Sequence, residues 1–150
     1  MQAPPARDGL RYPGPVTLDS LPLDAPLRAR FERLGQEFLA RFLGHALERQ
    51  PDNMDALFER AQVLTELGRH AEALALDRRL VRLMPEEPTN HYNLACSLAL
   101  VGEREAALAA LERAAKLGYL DSAHLASDEH LASLRDEPRF RALVKSLQRD

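Results

Sequence analysis

A repeat of 34 residues constrains the fold of this 150-residue chain more than any other sequence feature. Residues 54–87 align with residues 88–121 without gaps. The identical pairs are Ala61/Ala95, Leu64/Leu98, Gly68/Gly102, Ala73/Ala107, Leu74/Leu108, Ala75/Ala109, Arg79/Arg113 and Leu83/Leu117. A chain rich in Leu and Ala produces some identities by accident, but aligned glycines and matched small residues favour true repetition.

Each repeated unit has the pattern of a helical hairpin. Apolar spacing predicts two helices in each unit, with a glycine between them. In the first unit, one predicted helix ends at Gly68 and the other spans 71–84. In the second unit, the two predicted helices span 88–101 and 105–117. Glycine supplies the positive φ that a helix C-terminal cap commonly uses. The small residues Ala61/Ala73 and Ala95/Ala107 are expected where two antiparallel helices cross closely.

This pattern resembles the tetratricopeptide repeat, whose period is 34 residues. The matching positions are Leu57, Arg60, Ala61, Leu64, Ala73, Leu80 and Pro85, then His91, Leu94, Ala95, Leu98, Ala107, Ala114 and Tyr119. The chain departs from the family pattern at the large aromatic of the fourth position, which is Leu57 and then His91. Tyr119 also stands where the family has a terminal proline. The resemblance covers residues 54–121.

The segments on either side of the repeats predict caps for the array. Asp24 predicts the N-cap of a helix over 25–50, in which Leu27, Phe31, Leu34, Phe38 and Phe42 form an apolar stripe. The end of this helix resembles the second helix of a repeat, so it is interpreted as a degenerate half-repeat. Residues 120–147 are similar to the segment that closes many bacterial tetratricopeptide arrays, with short helical pieces near 121–126 and 129–134 and an amphipathic helix beginning at Pro138.

The predicted fold class is therefore all-α: a right-handed stack of antiparallel helical hairpins with N-terminal and C-terminal capping helices. The predicted helical domain is 25–150, divided into an N-terminal capping helix (25–53), two repeats (54–87 and 88–121) and a C-terminal capping segment (122–150). Residues 1–24 are rich in proline and predict an extended arm. Its Leu10, Tyr12, Val16, Leu18 and Leu21 could anchor it in the groove of the array.

Composition argues against several function classes. A net charge of −3 predicts no nucleic-acid binding, and the absence of a long apolar run predicts no membrane span. The proline-rich start lacks the apolar core of a secretory signal, so a cytoplasmic location is expected. The single cysteine, Cys96, excludes an intramolecular disulfide and is expected on a helix surface. The five histidines lack the HExxH or HxxxH spacing of metal sites, so no metal, cofactor or catalytic activity is predicted.

The resemblance implies that the first helix of each unit lines a concave groove that binds a peptide or partner protein. The implied partner-binding residues are Asp55, Phe58, Glu59, Gln62, Thr65, Glu66, Thr89, Tyr92, Asn93, Cys96, Ala99 and Leu100. Two alternatives stay open: these residues only support the capping segment, or the protein dimerises through the apolar stripe of 25–50. Chaperone C-terminal carboxylate tails are an unsuitable ligand, because Phe58 and Glu59 occupy positions where cations would be needed.

Overall fold

The computed structural model describes residues 22–148, and the predicted docking of the arm through Leu10–Leu21 lies outside them. The described residues belong to two units, with the boundary between Leu34 and Gly35. The helix α1 (Ala25–Arg49) begins in the first unit. Its start follows from capping, because the Asp24 carboxylate accepts a hydrogen bond from the Leu27 amide at 2.9 Å.

The second unit contains the remainder of α1 and two helical hairpins. The first hairpin is α2 (Met54–Glu66) and α3 (His70–Leu83), and the second is α4 (Pro88–Leu100) and α5 (Arg104–Lys116). Helix α3 also packs on α4, so successive hairpins stack. Within this unit, the buried residues of α1 are Ala40 and Leu47. Each packs in its own apolar cluster with side chains of α2 and α3.

The predicted turns and helix crossings are confirmed. Gly68 and Gly102 have φ values of 75° and 85°, which allow the chain to reverse after α2 and α4. The amide after each glycine then bonds back into the helix, from Arg69 to the Leu64 carbonyl at 2.8 Å and from Glu103 to the Leu98 carbonyl at 2.9 Å. The small residues predicted at the crossings are all buried: Ala61, Ala73, Ala95 and Ala107.

The repeated arginines make equivalent ion pairs. Arg79 donates to Asp52 at 2.8 Å, and its counterpart Arg113 donates to Glu86 at 2.9 Å. Each pair connects the second helix of a hairpin to the loop that precedes the hairpin. Exposed pairs of this kind contribute only about 0–1 kcal/mol, so these two pairs add little to the stability of the array.

The C-terminal capping segment folds as α6 (Ser122–Ser127), a 3-10 helix (Glu129–Leu134) and α7 (Pro138–Leu147). Its buried side chains Leu125, Leu131, Leu134 and Phe140 join the apolar core of the second hairpin. The 3-10 helix packs on α4, and α7 packs on α5. The segment therefore covers the exposed end of the array, as an array of repeats requires.

Candidate functional site

The first helices of the two hairpins, α2 and α4, form the walls of a concave pocket of about 350 Å³. Asp77 of α3 and three residues of the capping segment supply the rest of its lining. The lining residues are Phe58, Ala61, Gln62, Thr65, Asp77, Tyr92, Asn93, Cys96, Ser97, His124, Asp128 and His130. Six of these belong to the groove residues inferred from the sequence: Phe58, Gln62, Thr65, Tyr92, Asn93 and Cys96.

The other six inferred groove residues lie outside the pocket lining. Asp55, Glu59, Glu66 and Thr89 are exposed, Leu100 is half-buried and Ala99 is buried. Glu66 accepts a hydrogen bond from the Gln36 side-chain amide at 2.7 Å. The open part of the concave face is therefore provided mainly by α2 and by Asn93 of α4.

The capping segment covers much of the surface that α4 would otherwise present to solvent. Tyr92, Cys96 and Ala99 are each at most 7% exposed and pack in one core with the cap leucines. The Tyr92 hydroxyl donates a short hydrogen bond to the Asp128 carboxylate. These three residues therefore support the capping segment, which is one of the two alternatives given above. They do not form an apolar surface that is open to solvent.

Tyr119, which departs from the repeat pattern, stacks on Tyr92 with ring centroids 4.4 Å apart and planes 6° apart. Such stacking adds about 0.5–1.5 kcal/mol beyond the area it buries. Burial raises the pKa of the Tyr119 phenol to about 12 and also raises that of Tyr92, where the Asp128 bond acts in the same direction. Both phenols are therefore neutral donors at physiological pH.

A buried carboxyl group, Asp77, forms part of the pocket floor. Asp77 is 4% exposed and accepts a hydrogen bond from the Ser97 hydroxyl at 2.5 Å. Burial raises the pKa of this carboxyl to about 6, against the opposing effect of the Ser97 bond. Among the described side chains, no cation lies within ion-pair distance of Asp77. A buried carboxylate without a positive partner is costly, which makes it a candidate binding group.

The second carboxyl group of the pocket, Asp128, is held by several donors. Its Oδ1 accepts the His130 amide at 2.8 Å, and its Oδ2 accepts the Tyr92 hydroxyl. Burial acts to raise the pKa of Asp128, but these hydrogen bonds outweigh it and the pKa lies below its ordinary value. His130 Nδ1 and His124 Nε2 lie 3.4 and 4.0 Å from its oxygens. Asp128 is therefore a fixed negative charge beside two imidazoles.

The thiol of Cys96 is buried, so the expectation of a surface position is wrong. The reason is that α6 and the 3-10 helix cover this face of α4. Cys96 Sγ lies 3.6 Å from Asp128 Oδ2, and burial together with the charge of Asp128 raises the thiol pKa. A thiol with a raised pKa carries little thiolate, so it lacks the activation that a catalytic nucleophile needs.

Five polar residues of the site were absent from the sequence inference: Asp77, Ser97, His124, Asp128 and His130. A signal existed for Asp77, because it lies three residues from both Leu74 and Leu80 on the apolar face of α3. No periodicity could place Asp128 and His130, because they lie in short segments whose path depends on packing against α4.

Stacked helical hairpins around a concave pocket define a helical-repeat scaffold for protein–protein interaction. Residues 39–88 match the family model described as tetratricopeptide repeat. A solved structure, the MamA RS-1 ArsTM double mutant, superposes with a TM-score of 0.60 at 16% identity, over 77% of this chain and 67% of that chain. The resemblance to the tetratricopeptide repeat is therefore confirmed: a family model matches residues 39–88, and the helical fold is similar to that of the solved structure, as the sequence predicts.

A curated relative is similar over part of the chain. This relative is a chloroplastic protein of Arabidopsis thaliana, which is 34% identical over 84 residues. The match covers 52% of this chain and 24% of the relative, so the chain matches about a quarter of that protein. Within residues 22–148, no helix is both long and apolar enough to cross a membrane.

Proposed function

We propose that the concave pocket binds a segment of a partner protein by receiving one basic side chain. The single observation that carries the proposal is the pair of carboxyl groups in the pocket, of which Asp77 is buried without a cation. At pH 7 a group with a pKa of about 6 is mainly ionised. An arriving lysine or arginine would compensate this buried charge, which gives the ligand a favourable interaction that neutral side chains lack.

The walls of the pocket suit the remainder of such a side chain. Phe58 is a half-buried aromatic ring at the edge of the pocket, against which the aliphatic stem of a lysine or arginine can pack. The side-chain amides of Gln62 and Asn93 can bond the backbone of an extended segment. A ligand that presents a carboxylate is disfavoured by Asp77 and Asp128, which supports the inference that chaperone C-terminal tails are not the partner.

The test is selection of peptides from a random display library on the immobilised full chain, followed by titration calorimetry with the selected peptides. We expect a lysine or arginine at one fixed position, and replacement of that residue by norleucine should abolish measurable binding. Selection of peptides without a common basic residue would overturn the proposal.

Two variants with the same added charge locate the site. Asn93→Lys places an amine at the pocket itself, whereas Ala109→Lys places one at an exposed position of α5 outside the lining. We expect Asn93→Lys to weaken peptide binding at least about tenfold, which corresponds to about 1.4 kcal/mol, and Ala109→Lys to leave it unchanged. Equal effects of the two variants would assign binding to another surface.

Self-association is the second candidate function, and an exposed aromatic pair favours it. Phe38 and Phe42 on α1 are 64% and 58% exposed, and their rings stack with centroids 6.3 Å apart. Exposed apolar groups that adjoin one another commonly mark a contact surface. A second copy of the chain could cover these rings, and sedimentation equilibrium distinguishes this function from peptide binding.

A further inference from the structure

Three metal-ligating side chains of different types converge at one corner of the pocket. Cys96 comes from α4, Asp128 precedes the 3-10 helix, and His130 lies in its first turn. Cys96 Sγ, a carboxylate oxygen of Asp128 and a ring nitrogen of His130 all lie within 4.8 Å of one another. Cys96 Sγ lies 3.6 Å from Asp128 Oδ2, and His130 Nδ1 lies 3.4 Å from Asp128 Oδ1.

These separations are close to those of a zinc site. Zinc binds thiolate at ~2.3 Å and imidazole or carboxylate at ~2.0–2.2 Å in tetrahedral geometry, which places ligand atoms roughly 3.3–3.8 Å apart. The Sγ–Oδ2 and Nδ1–Oδ1 distances each fall in this range, and one ligand atom from each of the three residues lies within 4.8 Å of the others. A mixed set of thiolate, imidazole and carboxylate also favours Zn²⁺ over Mg²⁺ or Ca²⁺, which prefer oxygen ligands.

We propose that Cys96, Asp128 and His130 bind a zinc ion, with the fourth coordination position open to the pocket. The sequence predicts no metal site, because no histidine spacing places two ligands on one helix face, whereas this set is assembled from α4 and the capping segment. Asp128 is also one of the two carboxyl groups of the proposed peptide pocket, so metal binding is tested on the chain without peptide.

The surroundings of Asp128 prepare this carboxylate for a cation. The His130 amide and the Tyr92 hydroxyl hold its two oxygens in place, so little ordering is required when a metal binds. The Cys96 thiol loses its proton to solvent as the metal–sulfur bond forms. Burial and the Asp128 charge oppose that loss in the free protein, and a bound divalent cation compensates both effects.

Cobalt(II) is the probe, because thiolate coordination to Co²⁺ gives a charge-transfer absorption in the near ultraviolet. The full chain is first treated with a chelator, dialysed and then titrated with Co²⁺; Zn²⁺ is added afterwards as competitor. We expect one equivalent of Co²⁺ to bind and to produce the thiolate absorption band. Added Zn²⁺ should displace the bound Co²⁺ and remove the band. Absence of the band at millimolar Co²⁺ would overturn the proposal.

Substitutions of single residues test which side chains bind the metal. Cys96→Ser should remove the thiolate band, and His130→Ala should weaken Co²⁺ binding at least about tenfold. His45→Ala is the matched control, because His45 is an exposed histidine on α1 outside the pocket. The His130 side chain is 50% exposed, so its loss should leave the thermal unfolding curve of the metal-free protein unchanged and keep the test valid even if Cys96→Ser unfolds. Equal Co²⁺ affinity in His130→Ala and His45→Ala would contradict the site.

Discussion

Asp77 places a carboxyl group at a buried position of α3, where the helical spacing of Leu74 and Leu80 favours an apolar side chain. Its folded-state pKa of about 6 lies above the ordinary value of 3.8. Between these two pH values the folded chain keeps the proton and the unfolded chain releases it. The contribution of Asp77 to stability is therefore greatest below about pH 4 and decreases as the pH rises to about 6.

We predict that Asp77→Asn stabilises the metal-free, ligand-free protein at pH 7.5. An amide is neutral at every pH and can still accept the Ser97 hydrogen bond. One pKa unit corresponds to about 1.4 kcal/mol, so the shift sets an upper limit of about 3 kcal/mol for the gain. Urea unfolding at pH 7.5 measures this gain in the free energy of unfolding. The gain should shrink when the same measurement is made near pH 4.

The control for this prediction is Asp136→Asn, which removes a fully exposed carboxylate that pairs with Arg141. Surface changes of this kind usually alter the free energy of unfolding by less than about 0.5 kcal/mol. A loss of stability in Asp77→Asn at pH 7.5 would show that the carboxylate is needed for the fold itself, and a binding role for Asp77 would no longer follow from its burial.

Two alanines on α5 provide a matched test of the helix crossings. Ala107 is fully buried at the crossing with α4, whereas Ala109 on the same helix is exposed. We predict that Ala107→Leu destabilises the fold by about 1–3 kcal/mol, because added volume in a tight crossing forces the helices apart. Ala109→Leu should change stability by less than about 0.5 kcal/mol. Thermal or urea unfolding compares them, and equal stabilities would contradict the predicted crossing.

At the scale of elements, the capping segment serves both the core and the site. Its leucines and Phe140 complete the apolar core of the second hairpin, and its Asp128 and His130 complete the pocket. Arg139 of α7 also bonds Glu112 and Glu105 of α5 at 2.8 and 2.7 Å. Loss of this segment would therefore expose the core and remove part of the site together.

We predict that Phe140→Ala destabilises the protein by about 3–5 kcal/mol, the usual cost of removing a buried phenylalanine. The control is Arg141→Ala, because the neighbouring Arg141 is exposed and its ion pair with Asp136 is worth about 0–1 kcal/mol. Deletion of 136–150 should have a larger effect and cause aggregation or much earlier melting. A deletion variant as stable as the full chain would show that α7 is an appendage.

At the scale of the whole molecule, the sequence predicts the helices well and the site only in part. The hairpins are predictable because apolar spacing marks their faces and glycines such as Gly68 mark their turns. The α2 side of the pocket follows from the positions of Phe58 and Gln62 in the repeat. The cap side does not, because the path of residues 122–134 depends on burial of Leu125, Leu131 and Leu134 rather than on a local pattern.

Self-association concerns the whole molecule, and the exposed phenylalanines of α1 allow it to be tested by substitution. A fully buried phenylalanine contributes about 1.5–3 kcal/mol, so covering Phe38 and Phe42 in each of two copies would give a dimer of measurable affinity. We predict concentration-dependent dimerisation in sedimentation equilibrium, and a monomer for Phe38→Ser/Phe42→Ser with unchanged thermal unfolding at low concentration. Leu120→Ser is the control, because Leu120 is 60% exposed at a position outside α1 and should leave the dimer intact. A wild-type chain that stays monomeric at several hundred micromolar would leave peptide binding as the function that the exposed surfaces favour.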